Sequence, residues 1–338
     1  MQKTGLFDLT ARHKPLLVSI TRNGWRMGNN TKIQWCHHSF NPWIGCSKVH
    51  EGCANCYAEA DFAIRRKRVV WGPNGTRSIT RTWNDPVKWN RAAQREGERR
   101  RVFCASLADV FEDWRGGFTE TDGSPAVHHQ HGHRWTMDQL RRRLFGLMES
   151  TPSLDYLILT KRPENIFDMW PVDEKTGLRK YFGNVWLGTS VSSVRTAEKM
   201  IPHLMSCRQL VPVLFLSMEP LLECVQPSRV AVDLGNNFFG TPFNVVSSPE
   251  FEERLWPSID WVIVGGESGN FPRPCAVEWI RVVVNDCREA NVPCFVKQLG
   301  AMAFENDRRL SFVNSVKGGD PSEWPADIAV REFPEVES

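Results

Sequence analysis

From about Thr31 onward, short apolar runs recur along the chain, and each ends abruptly in polar residues or glycine. Each run is about five residues long and almost wholly apolar, which is typical of parallel strands covered on both faces. The runs occupy residues 102–106, 156–160, 185–189, 213–217, 261–265 and 293–297. A further strand is predicted before Cys46, which brings the expected number of strands to about seven.

Apolar residues recur at helical spacing in two of the intervening segments. They are Met137, Leu140, Leu144 and Leu147 in the first segment, and Val277, Ile280, Val284 and Cys287 in the second. This alternation predicts an α/β fold, a complete or partial TIM-like β/α barrel of mainly parallel strands. A doubly wound open sheet is the alternative. No GxGxxG or Walker-type loop follows any run, which weakens the dehydrogenase and kinase versions of that alternative.

The barrel domain is predicted to span residues 31–316, between an N-terminal extension at residues 1–30 and a peripheral, acidic tail at residues 317–338. Two interruptions, near residues 112–134 and 225–257, are longer than ordinary connections between a strand and a helix. We interpret both interruptions as candidate lids or partner surfaces.

Composition places the chain among globular proteins, because 338 residues with 41% hydrophobic content supply a full core. No run approaches the roughly 18 apolar residues of a membrane span, and the N-terminus lacks the apolar core of a secretory signal. We therefore predict no membrane contact and a cytoplasmic location, which is the host cell cytoplasm if the protein is phage-encoded. Ten cysteines, thinly spread except for one cluster, indicate reduced thiols with one metal site.

That cluster contains Cys46, Cys53 and Cys56, with the spacing C-x6-C-x2-C. A 4Fe-4S cluster with three protein ligands leaves one iron open for a substrate or cofactor. The motif follows the first predicted strand, so it is expected at the C-terminal mouth of the barrel, where such folds have their active sites. The alternative is a closed structural zinc site, for which the candidate fourth ligands are Cys36, His37, His38 and His50.

The chain resembles the radical S-adenosylmethionine superfamily, and more closely a phage-type radical-SAM-like family with a three-cysteine motif. The matching stretches are residues 31–35, 41–43, 45–59, 106–111, 159–163, 186–190, 217–221, 265–269, 273–274 and 295–300. The usual superfamily spacing is C-x3-C-x2-C, so this chain has three extra residues in the first gap. The resemblance implies a 4Fe-4S cluster on Cys46, Cys53 and Cys56 as metal-binding and catalytic residues.

The resemblance also implies that the open iron binds S-adenosylmethionine. One electron, from a donor such as flavodoxin or ferredoxin, then splits this cofactor into methionine and a 5′-deoxyadenosyl radical. The radical abstracts a hydrogen atom from the substrate. The protein has to hold the cofactor in place and exclude water and oxygen.

Polar residues at the ends of the predicted strands are the remaining site candidates, because catalytic residues of β/α barrels lie there. Six are assigned to cofactor binding: Ser106 and Asp109 for the methionine amino group, Thr189, Ser190 and Ser192 for the ribose, and Glu219. Four are assigned to substrate binding: Lys161, Arg162, Glu267 and Lys297. The three basic residues suit a carboxylate or phosphate group. For each residue the structural alternative is a helix cap or a surface ion pair.

Three functions remain open from the sequence. The first is an enzyme that rearranges or modifies a nucleobase, of thymine type, in phage DNA, for which basic runs at residues 65–68, 99–101 and 141–143 are candidate phosphate contacts. The second is a radical enzyme acting on a small metabolite or peptide. The third is a non-catalytic, zinc-stabilised protein that binds nucleic acid. A histidine-rich loop, which contains His128, His129, His131 and His133, is interpreted as a solvated loop rather than a metal site.

Overall fold

The computed structural model describes residues 31, 33–128, 132–235, 238–241, 244–247 and 259–336. The predicted N-terminal extension, His129 and His131 of the histidine-rich loop, and residues 248–257 of the second interruption lie outside the described residues.

Seven parallel strands form the central sheet. They are β1 (His38–Phe40), β2 (Arg100–Cys104), β3 (Leu154–Thr160), β4 (Val185–Ser190), β5 (Val213–Met218), β6 (Trp261–Gly265) and β7 (Cys294–Gln298). Their spatial order is their order along the chain, and the sheet curls into a half-barrel with β1 and β7 at its edges. The predicted α/β class with a parallel sheet is confirmed, in a form consistent with a partial barrel.

Side chains alternate between the two faces of this sheet, as the period of two residues in a strand requires. Phe103, Leu157, Trp186 and Phe215 lie in one buried cluster in the concavity, together with Trp261. Within each strand, the residues that alternate with these side chains lie on the convex face, in a larger buried cluster where the helices pack. Both faces are therefore buried, which explains why the strands are almost continuously apolar.

Four longer helices cover the convex face: α1 (Asp85–Glu96), α2 (Met137–Glu149), α3 (Val194–Met205) and α4 (Val277–Glu289). The two predicted from helical spacing are α2 and α4. The ends follow local chemistry, since Thr136 and Gln139 form a capping box before α2 and Ser193 and Thr196 form one before α3. Helix α1 ends at Gly97 in the left-handed conformation.

Shorter elements complete the described chain. The short helical segments are Glu51–Cys53, Tyr57–Glu59, Ala60–Arg65, Pro163–Asn165, Ile166–Met169, Arg208–Leu210, Pro227–Arg229, Pro321–Glu323 and Ala326–Ile328. The short strands are Trp43–Ile44, Ser78–Ile79, Val232–Gly235, Phe238–Thr241, Asn244–Ser247, Cys275–Ala276, Ala303–Glu305 and Arg308–Arg309. Within the second predicted interruption, three of these strands form a small antiparallel sheet.

The last described residues pack along strand β7. The amide of Val296 donates to the carbonyl of Val330, and the amide of Glu332 donates to the carbonyl of Cys294. The ring of Phe333 lies 5.5 Å from that of Trp261 and 5.3 Å from that of Phe295, at the N-terminal end of the concavity. Throughout the described part of the chain, no helix has both the length and the apolar character needed to cross a membrane.

Candidate functional site

A cavity of about 390 Å³ lies at the mouth formed by the C-terminal ends of the parallel strands. Its volume is in the range typical of small-molecule sites. Among the predicted site residues, those that line it are Cys46, Cys53, Cys56, Ser106, Asp109, Lys161, Arg162, Ser190, Glu219, Glu267 and Lys297. Thr189 and Ser192 are not part of the lining. The strand ends thus bring together residues that are up to 251 positions apart, from Cys46 to Lys297.

Residues 45–59, called here the cysteine loop, cover one side of this cavity. The loop begins at Gly45, whose φ of 116° and close approach to the Thr76 carbonyl exclude a side chain. His50 caps the helical turn Glu51–Cys53 by accepting a hydrogen bond from the amide of Gly52. Cys53 is buried, whereas Cys46 and Cys56 are partly exposed.

The first part of the cysteine loop is bonded to Arg162, which follows strand β3, and to Arg77, which precedes helix α1. Arg162 donates through Nη2 to the carbonyl of Ser47 at 2.8 Å and through Nη1 to Sγ of Cys46 at 3.6 Å. Arg77 donates to Oγ of Ser47 at 3.0 Å and forms a two-bond ion pair with the buried carboxylate of Glu112.

The middle of the loop is bonded to the start of helix α3, directly after strand β4. The carboxylate of Glu51 accepts hydrogen bonds from the hydroxyl of Ser193 and from the guanidinium of Arg195. Although burial raises the pKa of Glu51, these donors dominate and lower it to about 2. Glu51 is therefore ionised throughout the neutral range.

The far end of the loop is bonded to residues that follow strand β6. Glu267 accepts a hydrogen bond from the side chain of Asn55 at 2.9 Å and forms an ion pair with Arg273. Arg273 in turn donates to the carbonyl of Glu51 at 2.8 Å. Partial burial raises the pKa of Glu267, but the Arg273 and Asn55 donors outweigh it and lower the pKa overall. Glu267 thus holds the loop rather than facing the cavity as a free carboxylate.

Asp109, like Glu267, is bonded to protein groups rather than free to bind a ligand. Its Oδ1 accepts from the hydroxyl of Thr160 at 2.7 Å and from the amide of Phe111 at 3.0 Å. Its Oδ2 accepts from the amide of Lys161 at 3.0 Å and from Nη1 of Arg162 at 2.9 Å. Both oxygens are committed to the protein, so Asp109 positions the start of the segment after β3.

Two residues assigned to ribose binding lie away from the cavity. Thr189 is fully buried on the convex side of β4, and its hydroxyl donates to the carbonyl of Thr160 at 3.1 Å. Ser192 is fully buried behind Gly52, and a Cβ at Gly52 would meet its Oγ at 2.5 Å. Of the three residues assigned to the ribose, Ser190 is the one that lines the cavity.

The charged side chains of the cavity wall differ in whether they form ion pairs within the protein. Nζ of Lys297 lies 2.7 and 2.8 Å from the two carboxylate oxygens of Glu219, and Arg162 is paired with Asp109. Nζ of Lys161 donates to the hydroxyl of Ser190 at 2.9 Å, and among the described residues it has no carboxylate within ion-pair distance. Lys161 is therefore the cavity cation most available to an anionic ligand.

Burial also affects the thiol and imidazole groups of the loop. It raises the pKa of Cys46 to about 12, with a further contribution from the carboxylates of Asp109 and Glu112, against which Arg162 acts. Burial and the charge of Lys161 lower the pKa of His50 to about 4. At neutral pH the free Cys46 is a thiol and His50 is neutral, so binding a metal at Cys46 requires loss of its proton.

A single zinc ion and an iron-sulfur cluster make different demands on the donor side chains. Within the described ranges, no three histidine, cysteine or acidic side chains come close enough together to hold a single metal ion. Of the candidate fourth zinc ligands, Cys36 packs in the concave cluster, His37 accepts from the amide of Arg101, and His38 stacks on Trp89. The three thiols of the cysteine loop line one cavity, and a multi-iron cluster, whose ligands bind separate corners, does not require them to meet at a single ion.

The basic runs occupy different ends of the molecule. Arg100 and Arg101 begin strand β2, at the opposite end of the sheet from the cysteines, and Arg99, directly before it, is paired with Asp155. In the run at 141–143, Arg141 is buried and Arg142 is paired with Asp138. The run at 65–68 lies between Tyr57 and Trp71, which both line the cavity.

Several residues that shape the site were not among the candidates. Arg77 is fully buried and bonded to Ser47 and Glu112, yet nothing around it in the sequence distinguishes it from a surface arginine. Asn41 accepts from the hydroxyl of Ser106 and the amide of Leu107, and Asn55 reaches Glu267. Asn41, Asn55 and Arg273 do lie in the matching stretches, which is a signal that could have identified them.

The chain was compared with known proteins by family, by sequence and by structure. A family model described as "Protein of unknown function (DUF5131)" matches residues 30–115 and 128–322. No curated protein and no solved structure matches the chain. Because the matched residues cover well over half of the sequence, including the cysteine loop and all seven strands of the sheet, the chain belongs to this family of proteins of unknown function.

Proposed function

We propose that the protein is a radical S-adenosylmethionine enzyme that carries a 4Fe-4S cluster on Cys46, Cys53 and Cys56. The observation that carries the proposal is that three cysteines spaced C-x6-C-x2-C line one cavity at the C-terminal mouth of a parallel half-barrel. Barrels of this kind have their reaction chemistry at that end. On this proposal the half-barrel is a partial TIM-like barrel of the radical-SAM type.

When bound, the cluster supplies the electron that splits S-adenosylmethionine into methionine and a 5′-deoxyadenosyl radical. The chain's own residues bind the reactants and exclude water. Ser190, Ser217 and Lys161 provide polar contacts on the cavity wall, while Trp35 and Phe103 provide its apolar part. The cysteine loop closes one side, which limits access of water and oxygen to the reacting groups.

For the substrate, we infer a nucleobase, of thymine type, in DNA that undergoes rearrangement or modification. Arg65, Arg66 and Lys67 are exposed in the segment between Tyr57 and Trp71, which both line the cavity, and they suit phosphate contacts, although Asp61 is paired with both arginines. Phe271, 90% exposed, has its backbone bonded to Asn55 of the cysteine loop, and an exposed aromatic ring suits base stacking. A cavity of about 390 Å³ has room for an extruded base.

The direct test is cofactor cleavage. Protein purified and reconstituted without oxygen is incubated with dithionite and S-adenosylmethionine, and 5′-deoxyadenosine is quantified by mass spectrometry. We expect brown protein that forms this product, and Cys53→Ala should lose both the cluster absorbance and the product. The matched control is Cys224→Ala, because Cys224 is exposed and outside the cavity lining. Stoichiometric zinc in colourless protein, or full cleavage by Cys53→Ala, would overturn the proposal.

The substrate is tested separately, once cleavage is established. Defined single-stranded and double-stranded DNA, free thymidine, and a mixture of amino acids and short peptides are added, and the rate of 5′-deoxyadenosine formation is compared. We expect stimulation by DNA, reduced at least several-fold in a variant with Arg65, Arg66 and Lys67 changed to Gln. If a metabolite or peptide stimulates the reaction and DNA does not, a nucleobase in DNA is excluded as the substrate.

A further inference from the structure

The guanidinium of Arg162 lies between a cysteine of the loop and two acidic residues. It is 93% buried, and its Nη1 contacts Sγ of Cys46 at 3.6 Å and Oδ2 of Asp109 at 2.9 Å. Nη2 contacts the carbonyl of Ser47 at 2.8 Å and Oε1 of Glu112 at 3.3 Å. The sequence assigned Arg162 to substrate binding, but its donors are directed at the protein.

The position of this guanidinium is fixed from several sides. Asp109 is held by Thr160 and by backbone amides, and Glu112 is held by Arg77, which is itself fully buried. A planar guanidinium bonded to two carboxylates and a carbonyl has little freedom to turn away from the sulfur. Among the described residues, neither Cys53 nor Cys56 receives a side-chain hydrogen bond of this kind.

We propose that Arg162 is a positioning residue that donates a hydrogen bond to the Cys46 thiolate and raises the reduction potential of the cluster. This inference rests on the proposed function. Reduction adds one negative charge to the cluster, and no bond forms or breaks in that step. A cationic donor at a ligand sulfur stabilises the more negative state, so it favours uptake of the electron.

The two acidic residues bonded to Arg162 are the reason that we expect its removal to have a large effect. Asp109 and Glu112 each have a carboxylate oxygen bonded to the guanidinium whose Nη1 contacts the Cys46 sulfur, so their negative charges lie near that sulfur. Arg77 is paired with Glu112 but does not contact the sulfur. Removal of Arg162 therefore leaves the negative charges of Asp109 and Glu112 near the cluster without this compensating cation, which disfavours reduction.

The test is a redox titration of the reconstituted protein, poised with dithionite and mediators and followed by the electron paramagnetic resonance signal of the reduced cluster. Arg162→Gln should shift the one-electron equilibrium toward the oxidised cluster at least tenfold, which corresponds to about 59 mV. Arg162→Lys keeps the positive charge but loses the planar fork, so its reduction potential should lie between those of the native protein and Arg162→Gln. The matched control is Arg142→Gln, since Arg142 is exposed and, among the described residues, is paired with Asp138 on helix α2.

Each result separates this inference from the proposed function. Equal potentials in the native protein, Arg162→Gln and Arg162→Lys would overturn the inference and leave the function intact. A shifted potential without any 5′-deoxyadenosine would support Arg162 and overturn the function. Absence of an iron-sulfur cluster in the native protein would overturn both. If Arg162→Gln does not fold, as judged by circular dichroism, the Arg162→Lys potential decides.

Discussion

His37, an exposed residue directly before strand β1, has a lowered pKa because its imidazole is partly desolvated beside positive charge. Its Nδ1 accepts a hydrogen bond from the amide of Arg101 at 2.8 Å. Burial, with the nearby charge of Arg101, lowers the pKa of His37 to about 4. The folded protein therefore keeps this imidazole neutral at a pH where the unfolded chain protonates it.

This difference predicts acid sensitivity between pH 6.5 and pH 4. The unfolded state binds more protons in that window, so the free energy of unfolding falls as the pH is lowered. We expect His37 to contribute about 1 kcal/mol to the loss between pH 7 and pH 5, after allowance for its partial exposure. His37→Asn, which keeps an acceptor for Arg101, should reduce that loss. Urea unfolding at the two pH values measures it, with exposed His203→Asn as the control.

A second residue, Glu267, joins the cysteine loop to the end of strand β6. It accepts four hydrogen bonds from Asn55 and Arg273. Because the ionised carboxylate accepts all four, the neutral amide of Gln cannot replace it, and one of its own donors would face Arg273.

We expect Glu267→Gln to loosen the cysteine loop by about 1–3 kcal/mol. The measurement is hydrogen exchange at the amides of residues 50–56, which should become at least several-fold faster. The conservative variant Glu267→Asp should recover part of the protection. The control is Glu289→Gln at the exposed end of helix α4, and equal exchange in it and in Glu267→Gln would contradict the prediction.

At the scale of elements, close packing between neighbouring strands limits the side chains in the concavity. Gly188 on β4 lies against Phe215 on β5, and a Cβ at Gly188 would meet that ring at 2.3 Å. Both residues are buried, and neither strand can move without disturbing its other neighbour. The glycine thus leaves room for the ring inside the half-barrel.

Gly188→Ala should therefore destabilise the protein by about 1–3 kcal/mol through overpacking. Chemical denaturation measures the loss. The double variant Gly188→Ala with Phe215→Leu should recover part of it, because the smaller side chain opens space for the added methyl group. A lack of any coupling between the two substitutions would show that they do not share this contact.

At the scale of the whole molecule, the sheet was the most predictable feature. All six apolar runs lie in the seven-stranded sheet, because strands buried on both faces have to be continuously apolar. Strand β1, with the sequence His38-Ser39-Phe40, has no such run, so its place was inferred from the cysteine motif that follows it. The order of the strands follows from their sequential, parallel connections.

The details of the site were less predictable for two physical reasons. In an apolar strand the sequence does not show which residues face inward, so Thr189 and Ser190 were assigned together although only Ser190 reaches the cavity. Ion pairs such as Arg162 with Asp109 join residues 53 positions apart, and their partners become known only when the strands are assembled. The positions of the strand ends in the sequence predicted cavity residues, but they did not show which of those residues form ion pairs within the protein.

We expect the contacts of the C-terminal segment to contribute to the free energy of unfolding. Phe333 packs on Trp261 and Phe295 and lies under the guanidinium of Arg101 at 4.0 Å. Phe333→Ala should lower the free energy of unfolding by about 2 kcal/mol, since part of an aromatic core contact is lost. Phe271→Ala is the matched control, because Phe271 is 90% exposed and its removal should cost almost nothing. Thermal or urea unfolding compares the two variants.

The contacts that fasten the cysteine loop to the ends of β3, β4 and β6 are made by protein atoms alone. On the proposed function, we expect these contacts to hold the cysteine loop around the cavity after loss of the cluster, unlike small domains that fold only when a metal binds. If the protein carries the proposed cluster, exposure to air should leave a folded, colourless protein behind. Iron and sulfide added under argon should then restore the cluster without a cycle of denaturation.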